Sequence, residues 1–290
     1  MTSAPSDQSP MPPAAYLQAI GAAPDRPFDL AEAALCCAVQ DRPEVDLASY
    51  RRHLATLAED LRQLAKLDDG ASADDDSILA ARVDMLRNVL AARHGYRGDD
   101  STYDDLQNAD LTRVIDRRRG LPVALAILYI QTARALGWQI EGVNFPGHFL
   151  IRLRVGSQAA ILDPFDQGAA RSIVDLREKL KALVGEKAEL KFEHSAAVGD
   201  RDVLLRLQNN IKLRLVQEGD LPRAAAVLER MLWIAPDQAT LWRESGLIHH
   251  RLGHLARAKA ALQRFLSFDA SVTQRHQAAR LLQEIDRQLN

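Results

Sequence analysis

The chain has 290 residues, 47% hydrophobic and 26% charged, with 37 Lys plus Arg against 39 Asp plus Glu and a formal net charge of −2. That is apolar material for about two hydrophobic cores, and so balanced a charge supplies no field for gathering a polyanion, which sets nucleic acid aside as a partner. Its two cysteines, Cys36 and Cys37, are sequence neighbours; they exclude a disulfide framework and a four-cysteine zinc site and point to a reducing, cytoplasmic setting.

Residues 1–14 carry four prolines and three serines and read as a disordered tail outside the fold. The segment has no basic start followed by an apolar stretch, and no uncharged apolar run in the chain approaches the ~18 residues of a membrane span, so neither export nor membrane insertion is expected. From Ala14 to Arg93 apolar residues recur at three- and four-residue spacing: Leu30, Ala33, Ala34 and Cys37; Leu54, Leu57, Leu61 and Leu64; Leu79, Val83, Leu86 and Leu90. The spacing predicts three amphipathic helices. Pro43 and the acidic stretch Asp68–Asp76 separate them, and Asp76 or Ser77 suits the N-cap of the third. The acidic stretch lacks the carboxylate spacing, central Gly and closing Glu of a calcium loop, so it reads as a solvated connection. Cys37 falls on an apolar face, where a thiol behaves as a small hydrophobe.

After a turn-rich link from His94 to Asn108, residues Leu121–Leu136 form a strongly apolar segment with Pro122 near its start and Gly137 at its end. Pro first and Gly last is the asymmetry of a helix, and its apolarity requires burial. His148–Val155 alternates with period two and predicts a half-buried strand; Gly156-Ser157-Gln158 predicts a turn, and Ala159–Phe165 a second strand stopped at Asp163-Pro164. Lys179–His194 reads as a charged helix followed by a segment, Leu190–His194, compatible with one more strand. An antiparallel hairpin brings His148 and Asp163 to one end of the sheet, where they can touch. A histidine oriented by an aspartate is two-thirds of a nucleophilic triad, whose third member is favoured at a helix N-terminus. Arg117, Arg118 and Arg119 suit either a pocket for an acidic group or a local ion-pair network with Asp116.

The C-terminal region repeats. Gly219-Asp220-Leu221 and Gly253-His254-Leu255 are offset by 34, and the same offset pairs Ala224 with Ala258, Leu228 with Leu262 and Leu232 with Leu266. Period 34 with Gly at the inter-helix turn is the tetratricopeptide pattern. The repeats are placed at 204–237 and 238–271, with 272–289 as a capping helix. His249, His250 and His254 do not form a metal site on this reading, because Gly253 sits at the turn and separates them from a shared face.

Arg119-Gly120-Leu121-Pro122, Leu136-Gly137, Phe145–Leu150 and Leu162–Phe165 together resemble the transglutaminase-like core of the bacterial SirB family, which joins that core to C-terminal tetratricopeptide repeats. Tyr96–Gly98 and Tyr103–Asn108 also resemble it. The resemblance implies an α+β fold: a helical N-terminal layer, a papain-like core with a small antiparallel sheet, and an all-helical repeat tail, divided as tail 1–14, transglutaminase-like domain 15–199 and repeat domain 200–290. It implies a Cys, His, Asp order in which His148 and Asp163 are the candidate catalytic residues. The position of the Cys lands on or next to Pro122, which has no nucleophilic atom. Gly120–Leu128 contains no Ser, Thr or Cys, and Tyr129 is about two turns along.

Arg119, Gly120, Pro122, Tyr103 and Asn108 are the expected pocket residues; no cofactor and no metal is expected. Three functions follow as expectations. The first is a non-catalytic interaction or regulatory module that binds a protein or peptide partner through its pocket and repeat groove. The second is a hydrolase or acyl-transfer enzyme in which His148 and Asp163 act with a non-standard nucleophile or activated water, aided by Arg119, Tyr103 or Asn108. The third is a regulator that binds an acidic small molecule or peptide end near His148.

Overall fold

In the computed structural model, which describes residues 11–67, 74–269 and 271–289, the chain divides into two packed units. Residues 1–10 of the expected tail and residues 68–73 of the acidic connection lie outside the described residues.

The first unit comprises residues 29–38 and 44–207. Its helical part contains α2 (Leu30–Ala38), α3 (Leu47–Leu67) and α4 (Asp75–Arg87), the three helices expected from the spacing, with α4 running on as a short π-helical segment, Asn88–Arg93. The cap of α4 is Asp74, whose side chain accepts from the Ser77 N–H, two residues before the expected position. A two-residue strand β1 (Arg97–Gly98) pairs in parallel with β2 (Arg119–Gly120), and α5 (Leu111–Arg117), capped by Asp110, lies between them in sequence. Helix α6 (Pro122–Arg134) is buried from Pro122 through Ile130, as its all-round apolarity demands. Gly137 beyond its end has φ +74°, the left-handed conformation that glycine supplies without strain.

A five-stranded antiparallel sheet follows, in the order β6 (Ala169–Arg171), β5 (Gln158–Asp163), β4 (Leu150–Val155), β3 (Gln139–Val143), β7 (Ala197–Val198). The β4–β5 hairpin has the expected place and ends; β3, β6 and β7 are additions to the two predicted strands. The Leu190–His194 segment forms no strand. A 3₁₀ turn covers Phe192–Ser195, and pairing resumes only at β7. Helix α7 (Ile173–Val184) opens on a reciprocal Ser172/Asp175 capping box and buries Leu176 and Leu180 against Val143, Phe145 and Leu150 of the sheet.

The second unit comprises residues 11–28, 39–43 and 208–289 as described. Helices α9 (Leu221–Ile234), α10 (Ala239–Arg251), α11 (Leu255–Leu266) and α12 (Val272–Leu289) follow α8 (Asp200–Glu218). The 34-residue offset is reproduced atom by atom: the Asp220 N–H donates to Leu215 O and the His254 N–H to His249 O, each at 2.9 Å, and Gly219 and Gly253 both take positive φ. Ala224, Ala258, Leu228 and Leu262 are buried. Gly246 is required by close packing, since a Cβ there would lie 2.6 Å from Leu262.

Two features depart from the expected domain bounds. Pro13 and Ala14 open a helix, α1 (Pro13–Ala22), which packs with α9: a Cβ on Gly21 would sit 1.9 Å from the Trp233 carbonyl oxygen. Arg230 of α9, 3% exposed, holds the 39–43 segment through a bidentate pair with Asp41 at 2.7 and 2.8 Å. The junction expected at residue 200 coincides with the start of α8, but residues up to Leu207 pack with the first unit, burying Val203, Leu204 and Leu207.

Candidate functional site

The β4–β5 register sets Ile151 opposite Leu162. One step further lies Asp163, the last residue of β5, and the chain entering β4 at that end carries His148. The approach depends on a turn, Phe145-Pro146-Gly147-His148, closed by the His148 N–H donating to Phe145 O at 3.1 Å, with Gly147 at φ +68°. His148 Nε2 then stands 2.8 Å from Asp163 Oδ1, and both side chains are buried. In the neutral ring, Nε2–H donates to the carboxylate and Nδ1 keeps a lone pair. Among the described residues Nδ1 has no hydrogen-bond partner.

Asp163 is the more heavily held partner. Its Oδ1 also accepts the Phe165 N–H at 3.2 Å, and its Oδ2 accepts from Lys179 Nζ at 2.9 Å and Arg171 Nη2 at 3.2 Å. Burial pushes its carboxyl upward, but hydrogen bonds and charge from His148 and Lys179 outweigh that and hold it well below the usual carboxylate range. A second clamp acts on the histidine backbone: Arg206 donates from Nη2 to His148 O at 3.0 Å, bonds Asn144 through Nη1, and lies over the Phe149 ring at 5.5 Å. Lys179, Arg171 and Arg206 were not legible as site residues because each arrives from a separate element, with no motif spacing to His148.

Next to the pair is a pocket of about 530 Å³ lined by Arg97, Gly98, Asp100, Ser101, Arg119, Phe165, Asp166 and Gln167. Phe165 joins pocket and pair, since its ring meets both the His148 and Tyr103 rings edge-on at 6.0 and 5.8 Å. Gly98 makes room for it: a Cβ there would be 2.5 Å from the Phe165 ring.

Of the expected pocket residues, Arg119 lines this pocket. Gly120 is buried under Val114, where a Cβ would come within 2.7 Å, and Pro122 is buried at the start of α6. Tyr103 reaches the site through Phe165. Asn108 does not face the pocket: it is fully buried, its Nδ2 donates to Thr102 O at 2.5 Å, and its Oδ1 accepts from Arg117 Nη1 at 2.9 Å. Arg117 also pairs at 2.6 Å with Asp99, which is 1% exposed. Arg118, in a left-handed conformation at φ 58°, is hydrogen-bonded to Tyr96 and to His53. The arginine run therefore divides: Arg117 and Arg118 are fixed in local networks, and Arg119 is left to the pocket. The acid that engages Arg117 is Asp99, since Asp116 accepts from the Tyr50 hydroxyl.

Sequence comparison places this geometry. The transglutaminase-like superfamily matches residues 48–209, and a tetratricopeptide repeat family matches residues 211–283. The chain belongs to the transglutaminase-like superfamily. A UPF0162 protein of Xylella fastidiosa (strain 9a5c) is 30% identical over 247 residues, 83% of this chain and 84% of that one, and a UPF0162 protein of Pseudomonas aeruginosa is 33% identical over 211 residues, 72% and 73% of the two chains. F-box only protein 21 of Homo sapiens is 30% identical over 181 residues, 59% of this chain and 28% of that one. The transglutaminase-like domain followed by repeats is thus the SirB-type arrangement that the motifs resemble.

Within this transglutaminase-like unit the first residue of α6 is Pro122, and Gly120–Leu128 offers no hydroxyl or thiol. Tyr129 lies further along α6, fully buried, with its hydroxyl unbonded among the described residues. Burial, ahead of the opposing charge of Arg87, pushes that phenol well up, away from phenolate. Cys36 and Cys37 are buried in α2 and are not joined in a disulfide. Burial and the neighbouring Glu32 push the Cys36 thiol well up, the reverse of what activates a nucleophile. Among the described residues no three His, Cys, Asp or Glu side chains are grouped to hold a metal ion. The histidines brought together in the repeat region are His249 and His254, with Nδ1 atoms 3.4 Å apart, rather than His250 and His254. No described helix is long and apolar enough to cross a membrane.

Proposed function

We propose that this chain is a non-catalytic transglutaminase-like protein that acts as an interaction or regulatory module in a reducing, cytoplasmic setting, using its pocket and its repeat groove. The observation that carries the proposal is Pro122. An oriented His–Asp pair does acyl-transfer chemistry only through an attacking atom, and the helix start where the superfamily keeps its Cys holds an imino acid instead. The two cysteines of the chain are buried in α2.

The repeat half of the proposal draws on Leu213 and Leu247. They are offset by the same 34 residues, occupy equivalent places on α8 and α10, and are 48% and 38% exposed. Apolar side chains kept in water at the same place in consecutive repeats form a stripe suited to the apolar face of a peptide or helix. Co-purification from the cells that make the protein tests this. A partner retained by the wild type and by His148→Ala, and lost from Leu213→Asp/Leu247→Asp, is the expected result; recovery of the same proteins with both forms overturns it.

A second reading, in which His148 acts as general base on a water molecule, draws on the Nε2–Asp163 bond that leaves Nδ1 with its lone pair. It is tested by turnover, as set out below.

A further inference from the structure

In the parallel β1–β2 pair, Arg97 is the register partner of Arg119 and Gly98 that of Gly120. Register partners on parallel strands project to the same side, and adjacent strands are about 4.8 Å apart. The fold therefore roots two arginine side chains at neighbouring positions on one side of the pair, and both line one pocket. Like charges in that relation repel unless something between them is negative.

Among the described residues neither guanidinium has a hydrogen-bond or ion-pair partner, although Arg117 and Arg118 immediately before Arg119 are each engaged by at least two groups. Both unpaired arginines line the 530 Å³ pocket, whose size is that of a small-molecule site. The two acids in the wall do not cancel them. Asp166 is bound to Arg171 at 2.5 Å, and Asp100 is the single carboxylate left against two cations. Ser101 and Gln167 add neutral donors to the same wall.

We infer that the Arg97–Arg119 pair is a binding site for an oxyanion, a carboxylate or phosphate group carried by a small molecule or an acidic side chain. Paired guanidinium forks match the two oxygens of such a group, and a bound anion removes the repulsion that the register builds in. The ring of Phe165, stacked over Gly98, sets this anion beside His148. The inference deepens the pocket half of the function proposed above and does not depend on the repeat half, since Leu213 and Leu247 take no part in it.

The test is calorimetric titration of the full-length chain with inorganic phosphate, glutarate and a glutamate-containing peptide, at low and at physiological salt. Saturable binding of one of these probes, weakening with salt, is expected; which probe binds separates phosphate from carboxylate recognition. Arg97→Gln and Arg119→Gln should each weaken binding about tenfold, and Arg119→Lys, which keeps the charge but not the fork, should weaken it by less. Because each substitution relieves repulsion, the unliganded variants should melt no lower than the wild type. Absence of saturable binding by the wild type, unchanged affinity in the double Gln variant, or lower melting of the unliganded Gln variants overturns the inference. Recovery of the same partners by Leu213→Asp/Leu247→Asp, with anion binding intact, contradicts the function proposed for the repeats and leaves this site standing.

Discussion

His148 Nε2 and Asp163 Oδ1 lie 2.8 Å apart, and the aspartate, fully buried, is also bonded to two cations, Lys179 and Arg171. Its negative charge holds together α7, β6 and the loop before β4.

Replacing Asp163 with Asn leaves those cations facing a neutral amide in a buried site. Breaking a buried pair in this way costs about 3–5 kcal/mol, and urea denaturation of Asp163→Asn against wild type should show a loss of that order. A shift within error would mean that Lys179 and Arg171 find other partners at no cost.

The same group predicts acid sensitivity. Its folded-state pKa is depressed, so the unfolded chain takes up its proton first; the stabilisation is complete above about pH 5 and is lost as pH falls below about 4. Asp163→Asn should flatten that part of the stability profile. A profile as steep as that of the wild type would count against the pairing.

His53 predicts a separate, milder window. Burial, and then the charge of Arg118, push its pKa down from 6.5 to about 4. Between those values the unfolded chain binds the extra proton, so stability falls as pH drops from about 6.5 to 4 and no further below that. An NMR titration should place the His53 midpoint near 4, and His53→Gln should remove that slope while leaving the one below pH 4. A midpoint near 6.5 would contradict the burial of the ring against Arg118 and Tyr96.

Native protein at pH 8 should react slowly with Ellman's reagent, and unfolded protein should show two thiols per chain, since both cysteines are buried and Cys36 is held as the thiol. Fast reaction of one thiol in the native protein would mark an accessible, activated cysteine and weaken the non-catalytic reading.

Gly21→Ala tests the packing of α1 on α9. The Cβ would overlap a backbone carbonyl rather than a flexible side chain, so a loss of about 1–3 kcal/mol is expected in denaturant melts. An unchanged melt would show that α1 can shift away without penalty.

What was legible from sequence was whatever is local or periodic. The 34-residue offset needed only Gly219, Gly253 and their followers, and the His148–Asp163 meeting needed only one hairpin. The elements missed are those made by distant partners. β3 becomes a strand between β4 and β7, and Gln139–Val143 alone gives no clean alternation. The place of α1 follows from Trp233, more than two hundred residues away. Asn108 looked like a pocket residue beside the arginine run, yet Thr102 and Arg117 turn it inward. Arg97 entered the site through a parallel pairing of two residues, too short to leave a pattern.

The central claim is that the oriented pair has no attacking group. The most direct measurement is turnover of glutamine, amide and ester substrates by purified wild type and His148→Ala. Both proteins should give the same background rate and no covalent acyl adduct by intact mass. Turnover above background that His148→Ala abolishes would contradict the claim and make this chain an enzyme.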